Sequence, residues 1–142
     1  MKLRKTQFIF LLIIIATLSR LIPHPPNFTP ITAIALFSIT RLDNKLLAYL
    51  IPLICLYISD LFLGFYSINI FVYSSFLLIS LVGHYIGKIN LSSVLLSSIL
   101  FFIISNFGVW LLGYPRTIEG FLTCYVNAIP FFGFTILGDL IY

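Results

Sequence analysis

The chain has 142 residues, of which 61% are hydrophobic and only 8% charged, with a formal net charge of +4. A water-soluble domain carries roughly 25% charged residues, so this composition excludes an ordinary soluble fold and places a single domain in a bilayer. The basic excess is no sign of a nucleic-acid partner; in a membrane chain, where Lys and Arg sit sets orientation.

Lys2, Arg4 and Lys5 precede an apolar run from Phe8 to Leu18, the layout of a secretion signal. The triplet Thr17-Leu18-Ser19 is a poor small-x-small cleavage site and Arg20 follows at once, so a retained helix over about residues 6–22 is expected. Next comes Arg-Leu-Ile-Pro-His-Pro-Pro-Asn-Phe-Thr-Pro-Ile-Thr, residues 20–32. Pro23, Pro25, Pro26 and Pro30 remove backbone donors and push the residues before them out of helical angles. The stretch reads as a stiff, unwound crossing with spare carbonyls. At membrane depth such backbone is tolerated only where protein or a watery cavity covers it. A rigid turn at the membrane surface is the plainer reading.

A short segment over about 28–40 follows, too brief at roughly 20 Å to cross a core of about 30 Å without tilting or re-entering. Further helices are expected over about 46–65, with a kink at Pro52, then 68–87 and 91–113. The last region, 118–142, is either one span kinked at Pro130 or two pieces split there. If every segment crosses, Lys2, Arg4, Lys5, Arg41, Lys45 and Lys88 share one side and Arg20 and Arg116 the other. That bias predicts a cytoplasmic N-terminus in a multi-pass, all-α bundle of about six transmembrane helices.

With this orientation the polar residues sort by side. Arg20, His24, Asn27, Thr29, Asp60, Asn106, Trp110, Tyr114 and Arg116 fall toward the outer face, as a pocket open to the outside requires. Each also has a plainer role. An Asp inside a membrane helix costs about 2.5–3.5 kcal/mol at the bilayer centre, so Asp60 needs a partner, and Arg20 at similar depth is the candidate for a structural pair. Asn106 and Trp110 stand four apart on one helical face. Asn106 could simply bridge helices, while Trp110 and Tyr114 suit an interfacial belt. The two arginines suit an anionic solute, with Trp110 stacking on a ring. Gly83 and Gly87, around His84, have the spacing that lets helices approach closely, and Ser92, Ser93, Ser97 and Ser98 suit packing or bonding across helices. Asp139 is a second intramembrane acid without an assigned role. Cys55 and Cys124 read as small hydrophobes, and neither a metal nor a cofactor is expected. No hydrolase, nucleotide-binding or paired-cysteine motif occurs, so no enzyme is expected; an intramembrane enzyme using His24 with Asp60 or Asp139 has no nucleophile motif behind it.

The proline string, together with Ser-Asp-Leu-Phe-Leu-Gly-Phe-Tyr (59–66), Asn-Phe-Gly-Val-Trp (106–110), Tyr-Pro-Arg-Thr-Ile-Glu-Gly (114–120), Cys-Tyr-Val-Asn-Ala-Ile-Pro-Phe-Phe (124–132) and Gly-Asp-Leu-Ile-Tyr (138–142), resembles an uncharacterised bacterial membrane family described as candidate transport proteins. That family in turn looks like the S components of energy-coupling factor (ECF) transporters. The resemblance implies a six-helix protein of the bacterial inner membrane that takes a vitamin-like solute from outside. Its partners would be lipid, that solute, and a coupling transmembrane subunit driven by ATPases. The Ala-xxx-Ala docking pattern of S components is absent, since Ala16 is followed four residues later by Arg20. The alternative is a non-transporting structural or assembly subunit.

Overall fold

The computed structural model describes residues 5–142, which form six helices and, among those residues, no strand. They are α1 (Lys5–Leu21), α2 (Ile31–Arg41), α3 (Lys45–Leu63), α4 (Asn69–Ile86), α5 (Leu91–Gly113) and α6 (Ile118–Ile141). Lys2 and Arg4, part of the orientation argument, lie outside the described residues.

Local chemistry sets the boundaries. Between α1 and α2, Phe28 N–H donates to the Pro25 carbonyl at 3.1 Å, closing a turn with Pro26 and Asn27 at its centre. Asn27 has φ +64°, a left-handed value that Asn tolerates better than most residues. Phe28 belongs to that turn and Pro30 caps the helix, so α2 starts at Ile31 rather than at the expected 28. The third helix stops at Leu63, short of the expected 65, because Gly64 turns to φ +99°. Asn44, Asn90 and Thr117 cap α3, α5 and α6 through side-chain oxygens, with a full capping box at Asn90–Ser93. Pro130 does not split the last segment: α6 runs unbroken through it, as α3 does through Pro52.

The shortest helix lies at the centre. The 11 residues of α2 reach about 16 Å, and Ile31, Ile34, Ala35, Leu36 and Ile39 are all buried against α1, α3, α4 and α5. Gly83 on α4 allows this packing, since a Cβ there would come 2.9 Å from the Leu36 and Ile39 side chains. Gly87 does something different from the expected close approach; it ends α4 in a left-handed cap at φ +68°. The outer surface is apolar, with Phe62, Ile70, Leu77, Ile103 and Val126 exposed across α3 to α6. In water so continuous an apolar surface would aggregate; in lipid it is solvated.

Four helices, α3 to α6, are long and apolar enough to cross a membrane, while α1 and α2 are shorter. Ring contacts of Phe8 with Phe37 and of Tyr49 with His84 bring the start of α1, the end of α2, the start of α3 and the end of α4 to one end of the bundle. Arg41, Lys45 and Lys88 sit there, and Lys45 Nζ donates to the Ile39 and Leu42 carbonyls at the end of α2 (2.8 and 3.0 Å). We call this the basic end.

The α5–α6 connection is close-packed at Gly120, where a Cβ would collide with the Pro115 carbonyl oxygen, whereas Gly133 has open space around it. Gly120→Ala should therefore destabilise the protein by about 1–3 kcal/mol and Gly133→Ala should be neutral or slightly stabilising, as read by thermal unfolding of each purified variant.

Candidate functional site

Arg20 and Asp60 lie equally far past Lys5 and Lys45, the first residues of α1 and α3, and these neighbouring helices start at the same end. Equal rise therefore brings them level. Arg20 Nη1 donates to Asp60 Oδ1 at 2.9 Å, to the Leu56 carbonyl at 3.2 Å and to Ser59 Oγ. The other carboxylate oxygen accepts from Asn69 Nδ2 at 2.9 Å and Tyr73 O–H at 2.6 Å. Asn69 and Tyr73 stand one turn apart at the start of α4, which the tight α3–α4 connection folds back over the last turn of α3. Asp60 is 3% exposed, and its charge is matched by one guanidinium and two neutral donors. The pair is net neutral.

Arg20 also borders a cavity of about 150 Å³, with His24, Asn27, Thr29, Thr32 and Thr135. His24 Nδ1 lies 2.6 Å from the Ile22 carbonyl, so Nδ1 carries a proton and donates. A larger cavity of about 410 Å³ adjoins the first; Asn27, Val72, Phe101 and Thr135 line both. Its polar lining is Asn27, Ser105, Asn106, Tyr114, Asn127 and Thr135, and its apolar lining includes Phe101, Phe102, Phe131 and Phe132. Asn106 Nδ2 donates to the Phe102 carbonyl at 2.8 Å, and Asn127 Nδ2 to the Tyr114 oxygen at 3.3 Å. From Phe101 to Tyr114 the rise along α5 is about 20 Å, so the lining of the larger cavity extends that far along α5. The smaller one adjoins it beside the proline segment, and the two together are the joined cavity.

Of the nine residues singled out from sequence, Arg20, His24, Asn27, Thr29, Asn106 and Tyr114 line this joined cavity. Asp60 stands behind Arg20 and holds it. Trp110 and Arg116 do not line it. They border a separate depression with Phe121 at the α5–α6 connection, where Trp110 Nε1 donates to the Pro115 carbonyl at 3.1 Å and its ring meets Phe121 edge-on. Sharing a helical face with Asn106 was therefore not enough, because the neighbouring helix and its turn decide which positions on that face meet the cavity. Asn69, Tyr73, Asn127 and Thr135 were not singled out. The polar positions Asn127 and Thr135 inside an otherwise apolar helix were the available signal.

The serines of α5 divide their work. Ser93 Oγ accepts from the Asn90 N–H in the capping box, Ser97 donates to the Ser93 carbonyl within the helix, and Ser98 crosses to Asp139 on α6. His84 is exposed and stacks on Tyr49. Cys55 and Cys124 are free and buried. Among the described residues no three His, Cys, Asp or Glu side chains converge.

Breaking a buried pair by removing one partner strands the other, at about 3–5 kcal/mol. Arg20→Met and Asp60→Asn should each cost about that much, and the double variant much less than their sum, in a double-mutant cycle read by unfolding. Tyr73→Phe removes one donor from a charged group and should cost about 1.5–3 kcal/mol.

No curated protein and no solved structure matches the chain. A family model matches it over residues 1–142, and the chain accordingly belongs to DUF6580, a family of unknown function.

Proposed function

We propose that this protein is a solute-binding component of a transport system in the bacterial cytoplasmic membrane. It takes a small, uncharged, flat solute from the side opposite the basic end. The observation that carries this reading is the joined cavity itself: a partly aromatic space reached by three asparagines and by irregular, proline-stiffened backbone. Polar side chains and unwound backbone are expensive within a bilayer and are kept where they serve binding. An anionic solute is less favoured than the two arginines suggested, since Arg20 is neutralised by Asp60 and Arg116 lies off the cavity. The asparagine, Ser105 and Tyr114 groups instead offer donors and acceptors to amide- or carbonyl-like edges, and Phe101, Phe102, Phe131 and Phe132 offer ring surfaces.

In this reading the basic end faces the cytoplasm and six helices traverse the membrane domain. The short α2 and the proline segment together complete the second passage inside the bundle. The solute is then handed to an energising partner, a coupling membrane subunit with ATPases, consistent with the absence of any nucleotide-binding motif. A second reading, a structural or assembly subunit, draws on the full satisfaction of Asp60 within the protein.

Purification in mild detergent followed by mass spectrometry of released small molecules separates the two. The transport reading expects one compound class enriched with the wild type. It should be depleted about tenfold in Asn106→Leu or Asn127→Leu, the cost of one or two lost hydrogen bonds, and retained in Trp110→Ala and Arg116→Ala. Equal recovery from all variants, or no enriched compound from any, favours the structural reading.

A further inference from the structure

Asp139 takes no part in the site described above. It lies on the last turn of α6, 6% exposed. Ser98 Oγ donates to its Oδ2 at 2.6 Å and the Thr32 hydroxyl stands beside the same carboxyl. No cation pairs with it among the described residues.

Two cavities flank this carboxyl. On one side is the Arg20 cavity, lined by Thr32 and by Thr135, which lies one turn before Asp139 on α6. On the other, Thr32 and Asp139 line a third cavity of about 310 Å³, which reaches Ile89 in the α4–α5 connection at the basic end. Thr32 is thus common to both, and the Thr32–Asp139 contact lies between the Arg20 cavity and the third cavity.

The groups facing Asp139 decide what it can hold. From α5 comes Ser98 and from α2 Thr32; α1 contributes Leu12 and Ile15 to the third cavity, and the α4–α5 connection contributes Ile89. The other titratable side chain on that cavity is the Tyr142 phenol, while Arg20 and His24 lie beyond Thr32, on the Arg20 cavity. An ionised carboxylate here would have hydroxyls but no counter-charge, in apolar surroundings where that is costly. A metal cation would want several more oxygen ligands. A proton needs none. We propose that Asp139 is a proton-binding position that exchanges with the solute cavity past Thr32 and Thr135. The exchange is a simple transfer: the carboxyl O–H breaks, the proton passes to water or a hydroxyl oxygen in the cavity, and another returns. The proposal does not depend on the solute reading, because the site can be tested with no solute present.

Infrared spectroscopy of the whole chain in lipid nanodiscs reads the carbonyl stretch of a protonated carboxyl as buffer pH is stepped from acid to alkaline. The expected result is a band in the wild type that is lost in Asp139→Asn, kept in displaced form in Asp139→Glu and unchanged in Tyr142→Phe. It should shift in D2O and fade reversibly as pH rises. Thr32→Val should displace the band, as loss of a neighbouring hydroxyl does, and slow its deuterium exchange severalfold. If Asp139→Asn does not fold, Ser98→Ala makes the assignment, because losing that O–H donor displaces the band only if it belongs to Asp139. The proposal is overturned if no band depends on residue 139 or 98, if the band neither titrates nor exchanges, or if Thr32→Val exchanges at the wild-type rate.

Discussion

A guanidinium and a carboxylate removed from water together each lose several kcal/mol of hydration, and their mutual attraction offsets this only when their remaining donors and acceptors are also met. Arg20 and Asp60 meet that condition through Leu56, Ser59, Asn69 and Tyr73. The network ties the end of α1 to the ends of α3 and α4, and the chain immediately after Arg20 is the proline segment. Where Arg20 is held, residues 22–30 are held. Their prolines then leave little freedom in the path down to Ile31, where α2 begins.

That path explains why a helix of only 11 residues can sit at the centre of the bundle. Because α2 is only about half as long as a bilayer core is thick, the proposed second passage would be completed by irregular backbone. Such backbone must border protein or a watery space. Here it borders both, with Phe28 close against Gly138 and Tyr142 on one side and Asn27 and Thr29 along the cavities on the other. The fold and the cavity are consequences of the same break.

Much of this was legible in the amino-acid sequence, for reasons tied to particular residues. Helix number and most boundaries followed from long apolar runs separated by Pro, Gly and Asn, which act locally. The level placement of Arg20 and Asp60 follows from counting residues from the first lysines of two helices. What was not legible depends on how helices rotate against one another. Asn106 and Trp110 share a face, yet only Asn106 meets the cavity, because Trp110 is taken up by the Pro115 carbonyl and Phe121. Asn127 and Thr135 have no face assignable from sequence, because the course of residues 118–142 on either side of Pro130 is open there, and a residue cannot be assigned a face until its helix is known to continue. Gly87 looked like a packing glycine by spacing alone, whereas its φ makes it a cap.

The central claim is that the proline segment, anchored by Arg20, lies beside a cavity open to the side away from Arg41, Lys45 and Lys88. Cysteine accessibility in intact cells tests it directly, since both native cysteines are buried. A membrane-impermeant maleimide added outside should label Asn27→Cys, and should label Lys88→Cys only after the membrane is permeabilised. Labelling of Asn27→Cys solely from the cytosolic side would contradict the account.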